Sequence, residues 1–179
     1  MSETTISSER IYEGRVINLR RDMVRVENGL EFQRDIVEHN GAVVIVPLLD
    51  NETVLLVSQY RYAAGKTLLE VPAGSINPGE NPLECARREL VEETQHEAAK
   101  IERLFAMYSA PGFSTELLTV FLATNLTPKA GSGDDDEFID VREVRLADAL
   151  AMIDRGEIED AKTIASLLAV ARRLDAERA

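Results

Sequence analysis

The stretch from Gly74 to His96, GSINPGENPLECARRELVEETQH, constrains this chain more than any other. Its Asn81-Pro82-Leu83-Glu84 opens a helix: Asn81 is the N-cap, Pro82 takes the first helical position, and Glu84 completes a capping box. At roughly 100° per residue, Leu83, Ala86 and Leu90 form one apolar stripe. Glu93 falls inside that stripe, Glu89 sits at its edge and Glu92 lies a little further round. Three carboxylates therefore fan out from the buried margin of a single helix. Like charges at helical spacing repel by about 0.2–0.5 kcal/mol per pair, and loss of water adds more.

Something positive must compensate. Arg88, one turn before Glu92, steadies it, but one guanidinium does not balance the cluster. Carboxylates on a rigid element, with few His or Cys nearby, suit a hard divalent cation such as Mg²⁺ or Mn²⁺. An isolated RRELVEE would read as a solvated, salt-bridged face; the loop before it changes that reading.

Gly74, Glu80, Arg88-Glu89-Leu90 and Glu92-Glu93 are spaced as Gly, five residues, Glu, seven residues, Arg-Glu-apolar, one residue, Glu-Glu. Ordinary residue frequencies give such a match by chance on the order of 1 time in 10⁵. The pattern resembles the box of the Nudix hydrolase superfamily. That family ends its box with Gly and an apolar residue; here Gln95 and His96 stand there, so the helix is expected to end differently, a residue later.

Within 179 residues, 45% hydrophobic and 29% charged, one main fold with a sizeable core is expected. The net charge of −12 argues against nucleic acid or an anionic membrane as partner. Cys85, the only cysteine, is read as a small buried residue, and its solitude fits the reducing cytoplasm. No membrane-spanning run or signal peptide is evident, and two histidines with one cysteine make zinc a poor candidate.

In chain order, Met1 to about Ser8 is polar and expected to be mobile. Residues 11–26 and Phe32–Glu38, joined by Asn28-Gly29, carry a hairpin signal. Residues 1–39 are thus expected to form an N-terminal β-hairpin segment, a small antiparallel sheet preceding a main domain over 40–179. Gly41–Leu49 is a two-sided buried strand, with Thr53–Tyr60 as its expected hairpin partner. Further strands are expected at 67–71, 100–109, 116–124 and 138–146. Helices come next, at 147–155 and from Asp160 to about Glu177, the last with Ile164, Leu167, Leu168 and Ala171 inward. This order predicts an α/β (α+β) fold, a mixed sheet sandwiched between helices. The Nudix resemblance implies the same α/β/α architecture.

Outside the box, Gln59-Tyr60-Arg61, Leu69-Glu70-Val71-Pro72-Ala73-Gly74, Ser109-Ala110-Pro111-Gly112-Phe113 and GEIEDAKTIASLL from Gly156 to Leu168 resemble the ADP-ribose pyrophosphatase branch. That resemblance implies roles for individual residues. It makes Glu89 and Glu93 metal ligands, with the Ala73 carbonyl and Glu92 as further ligands. It has Arg88 orient the carboxylates, while Gly74 and Glu80 support the box structurally. It draws the general base from a later acidic loop, here Asp134 to Glu137, and Glu137 is the choice. Arg61 and Arg34 suit phosphate or ribose, Arg34 across a dimer, because a planar fork grips phosphate in two places. By the same resemblance, Glu70 and Glu116 hydrogen-bond the ribose or adenine. Phe32 is read as core rather than as a base-stacking residue. His39 and His96 are read as a polar strand end and a helix-end cation.

The expected activity is metal-dependent hydrolysis of the pyrophosphate of ADP-ribose to AMP and ribose 5-phosphate. Rivals are another nucleoside diphosphate sugar or dinucleoside polyphosphate hydrolase, and a nucleotide-sensing module without turnover. A homodimer is expected, because the hairpin segment cannot bury a core alone and the family exchanges such segments.

Overall fold

An unbroken Val/Ile run belongs on a strand covered on both faces, and β4 (Ala42–Pro47) is buried along its whole length. The computed structural model describes residues 2–131 and 139–178. Their contacts divide the chain into two compact units, Met1–Gly41 with Tyr108–Leu117, and Ala42–Met107 with Leu118–Ala179.

In the first unit, β1 (Glu3–Glu13), β2 (Asn18–Val26) and β3 (Glu31–Glu38) form an antiparallel sheet in that order. The β2–β3 turn is the expected Asn-Gly, with Gly29 at φ +86° and its N–H on the Val26 carbonyl. The expected mobile start is instead most of β1. Every residue of β1 is exposed, so it shows none of the apolar alternation that marks a strand. Polar cross-strand pairs hold it in register: Glu3 with Arg34 at 2.7 Å, and Ser8 Oγ donating to Asp22 at 2.6 Å. The 108–117 segment joins β3 through Val37, whose N–H reaches the Phe113 carbonyl while its own carbonyl accepts from Thr115.

The second unit contains two sheets. β4 lies between β7 (Ala73–Ser75), antiparallel, and β9 (Leu117–Pro128), parallel, with β8 (His96–Tyr108) beyond β9. β5 (Thr53–Arg61) lies between β6 (Lys66–Glu70) and β10 (Ile139–Arg145), antiparallel to both. The expected β4–β5 hairpin is therefore corrected. Among the described residues a single Leu48–Val54 bridge links the two, because the hydrogen-bonding edges of β4 are taken by β7 and β9.

The pleat of β4 divides the core. Val43 and Ile45 pack with Cys85, Ala86 and Leu90 of α1 (Pro82–Thr94). Val44 and Val46 pack with Leu146 and Ala149 of α2 (Leu146–Asp154) and with Leu167 and Val170 of α3 (Ala161–Arg178). This is the expected mixed sheet between helices. On α3, Thr163 and Ser166 take buried places, and Leu168, expected inward, is exposed.

Candidate active site

Helix α1 starts as its sequence demands: the Asn81 side chain accepts from the Leu83 N–H at 2.8 Å, and Pro82 follows the cap. Before it, a turn closes on Glu80. Its carboxylate accepts from the Asn77 N–H at 2.9 Å, and Gly79 supplies φ +80°. The same carboxylate takes Nε of Arg88 at 3.1 Å and Nη2 at 3.2 Å. Nη1 of Arg88 reaches Glu89 at 2.7 Å and Glu92 at 2.8 Å. One guanidinium thus ties together the three acidic side chains the box spaces around it.

The electrostatics follow. The hydrogen bonds from Arg88 and the Asn77 N–H hold the Glu80 carboxyl down to about 2. Arg88 is raised, chiefly by Glu80, and cannot lose its charge. Cys85 is buried as expected; burial and then the charges of Glu80 and Glu89 push its thiol up to about 12, which makes it a poor nucleophile.

Glu89 and Glu93 are buried, as their place on the stripe predicted, and Glu92 is half-buried. The opening glycine has a physical reason: a Cβ on Gly74 would stand 1.9 Å from Cδ of Glu89. The Glu89 carboxylate lies against bare backbone. The carboxylate of Glu93 accepts from the Ala73 N–H at 3.3 Å. Strand β7 and helix α1 therefore meet through the residues that the family resemblance assigns to metal.

The helix ends where a glycine would end it, which corrects the expected later stop. Gln95 itself adopts the left-handed conformation at φ +57°, and its N–H bonds the Val91 carbonyl at 3.0 Å. Its side-chain amide offsets the strain by a two-way grip on Gly131, donating at 3.0 Å and accepting at 2.8 Å. The His96 ring lies on the Thr94 carbonyl at this same helix end.

A second cluster forms where β5 and β6 end. Nε and Nη2 of Arg61 meet the two oxygens of Glu70 at 2.8 and 2.7 Å. Glu70 is 1% exposed, and Lys162 of α3 bonds its Oε2 as well. Burial alone would raise the Glu70 carboxyl, but the hydrogen bond from Arg61 and the charge and hydrogen bond of Lys162 outweigh it and hold it low. Arg61 is raised, first by Glu70, with Glu93 contributing at longer range. The sequence resemblance places Glu70 on ribose or adenine; in the structure its oxygens are engaged with Arg61 and Lys162. Sequence reasoning misses Lys162, although the residue lies within the GEIEDAKT stretch. The available signal is a carboxylate on a buried strand, which needs more than one cation.

Arg34, Phe32, Glu116 and His39 lie in the first unit. Arg34 pairs with Glu3 and stands over Phe32, 5.7 Å from the ring centroid. Phe32, read as core, is exposed. Glu116 stands 3.7 Å from the largely buried ring of His39, which accepts from the Gly41 N–H. Glu137 lies outside the described residues.

Donor chemistry tests the fit for a cation. Three carboxylates converge on the Arg88 guanidinium, and every donor is a hard oxygen, a set that suits a divalent cation. Among the described residues, no three acidic, His or Cys side chains form a ready-made cage.

A helix presenting buried carboxylates against a glycine, beside a mixed sheet, defines a class. The chain belongs to the Nudix family: the NUDIX domain model matches residues 38–167. Nudix hydrolases are generally dependent on divalent metal ions. The chain is 41% identical over 165 residues to an ADP-ribose pyrophosphatase of Bacillus subtilis (strain 168), covering 91% of this chain and 89% of that protein. It is 38% identical over 164 residues to a methanol dehydrogenase activator of Bacillus methanolicus, covering 90% and 89%. The crystal structure of an ADP compounds hydrolase superposes with a TM-score of 0.88 at 24% identity, over 99% of this chain and 96% of that one, a likeness of fold. No helix among the described residues is long and apolar enough to cross a membrane.

Proposed function

We propose that the chain is a Mg²⁺- or Mn²⁺-dependent pyrophosphatase that hydrolyses ADP-ribose to AMP and ribose 5-phosphate. One observation carries this reading: the Glu89 and Glu93 carboxylates on α1 are seated against Gly74 and Ala73, and the charge of Glu93 is felt by Arg61. The 41% identity to an ADP-ribose pyrophosphatase supports the choice of substrate.

Glu89, Glu93, Glu92 and the Ala73 carbonyl would hold the metal, which when bound supplies charge neutralisation and acidifies water. The chain's own groups do the rest. Arg88 keeps Glu89 and Glu92 aimed, and Glu80 keeps Arg88 aimed. Arg61 faces the diphosphate with its remaining N–H groups, held from behind by Glu70. Glu137 takes the proton of the attacking water. The water oxygen bonds one phosphorus, and the bridging P–O bond breaks toward the other phosphate.

We also propose a cytoplasmic homodimer, in which Arg34 and Glu116 serve the substrate. The first unit supports it: Ile6, Ile11, Tyr12 and Phe32 stand exposed on strands of its three-stranded sheet. Light scattering at micromolar protein should give twice the chain mass; a monomer removes this part of the proposal.

The test of the activity is a substrate panel with Mg²⁺: ADP-ribose, ADP-glucose, GDP-mannose, NADH, diadenosine polyphosphates and 8-oxo-dGTP, with products separated by chromatography. Preferred cleavage of ADP-ribose, abolished by chelator, is expected. Preference for another compound discards the substrate and keeps the metal chemistry. No turnover of any compound, with melting temperature still raised by one, replaces the enzyme with a nucleotide sensor.

A further inference from the structure

Lys162 has no assigned part in the reaction, yet it reaches from the first turn of α3 to a carboxylate that is 1% exposed. We infer that Lys162 is a positioning residue: it holds Glu70 so that Glu70 sets the direction of the Arg61 guanidinium. This deepens the proposed function and rests on it.

The geometry is a chain of fixed parts. The Asp160 carboxylate accepts from the Thr163 N–H at 2.9 Å and the Thr163 hydroxyl at 2.6 Å, which locks the start of α3. The Thr163 hydroxyl oxygen in turn accepts from the Val71 N–H at 2.9 Å, tying that helix start to the end of β6. Lys162 therefore leaves a backbone that cannot drift. Its ammonium stands between Glu70 and, at 3.0 Å, Asp160, and its side chain is only 15% exposed. Held there, it is a poor candidate to meet substrate itself.

Glu70 passes this order on. Its Oε2 accepts from both Lys162 and Nη2 of Arg61, and its Oε1 accepts from Nε of Arg61. Two parallel hydrogen bonds fix the plane of a guanidinium as well as its place. Nη1 of Arg61 makes no hydrogen bond among the described residues, and the side chain is 37% exposed. An arginine gripped on one edge and open on the other is prepared for an anionic group. Without Lys162, a buried carboxylate keeps a single cation, and the Arg61–Glu70 pair is free to turn toward water.

The experiment is a double-mutant cycle on ADP-ribose hydrolysis at saturating Mg²⁺. Lys162→Met should raise KM about tenfold, the effect of misaiming one charge-assisted contact, with kcat within about twofold. Arg61→Ala should raise KM by at least about as much. The two together should be no worse than Arg61→Ala alone, because Lys162 acts through Arg61. Lys162→Arg, which keeps the charge, should recover part of the KM. If Lys162→Met melts too low to assay, Lys162→Gln keeps a donor for Glu70 and enters the same cycle. Additive effects on KM, or a lowered melting temperature with KM unchanged, overturn the role and leave the functional reading standing. A wild-type chain that cleaves no nucleoside diphosphate sugar overturns the reading, and the role of Lys162 with it.

Discussion

Replacing Gly74 with alanine should silence the enzyme and leave the fold standing. A methyl group there lies 1.9 Å from Cδ of Glu89 and 2.0 and 2.3 Å from its oxygens. Ordinary carbon contacts are about 3.5 Å, so the carboxylate must retreat by about 1.6 Å. The obstructing atoms are the far end of a flexible side chain, so relief by rotation keeps the loss of stability at or below about 1–3 kcal/mol. The same rotation breaks the 2.7 Å pair with Arg88 and moves a proposed metal ligand. A misplacement of about 1 Å costs about 10²-fold in rate, equivalent to about 3 kcal/mol of transition-state stabilisation. Steady-state hydrolysis of ADP-ribose at saturating Mg²⁺ measures it, with circular dichroism and melting alongside. Gly74→Ala combined with Glu89→Gln should be no slower than Glu89→Gln alone, since both remove the same carboxylate. A Gly74→Ala enzyme within a few-fold of wild type, while Glu89→Gln is crippled, would refute the reasoning.

Glu93→Gln keeps the shape of the side chain and an acceptor for the Ala73 N–H, so circular dichroism should be unchanged while turnover falls by about 10³-fold or more; near-normal turnover removes its ligand role. The Glu80 carboxyl is held at about 2 against an ordinary 4.5, so the stability it contributes is complete above pH 4.5 and is lost as pH falls toward 2. Urea unfolding at pH 6 and pH 3 should therefore show wild type losing more stability than Glu80→Gln, and equal losses count against the ion pair. At the end of α1, Gln95→Ala loses the grip on Gly131 and keeps the left-handed backbone, whereas Gln95→Gly loses the grip and the strain. Alanine should be the less stable of the two by about 1 kcal/mol in denaturant unfolding, and the reverse order would mean the backbone there is not held left-handed.

Legibility in the sequence tracks the range of the forces involved. Helix α1 is readable because its start depends on neighbours: Asn81 caps a residue two positions away, and the carboxylate face follows from helical spacing. Strand pairing is less readable. An apolar run announces that β4 is buried but not which strands flank it, and its parallel partner β9 lies more than sixty residues further along. β1 escapes notice because both its faces are exposed, so polar pairing rather than apolar alternation defines it. On α3 the apolar letters place Leu168 inward, but the helix turns Thr163 and Ser166 into the core. Thr163 is tolerated there because its hydroxyl has partners in both Asp160 and Val71.

Gln95 and Glu70 show what a motif encodes. The box position that departs from the family asks for a left-handed backbone and does not require glycine as such. Gln95 meets it by adding a grip on a residue 36 positions away, which no local pattern reveals. Glu70 stands in a stretch resembling a substrate-binding branch and reads, on sequence, as a contact with substrate. Its burial and its two cationic partners support the proposed role behind Arg61, in which its effect on substrate would pass through that guanidinium. A side chain that must stay charged and dry serves better behind a contact than in one, because every lone pair spent on Arg61 and Lys162 is one that a ribose hydroxyl would have to compete for.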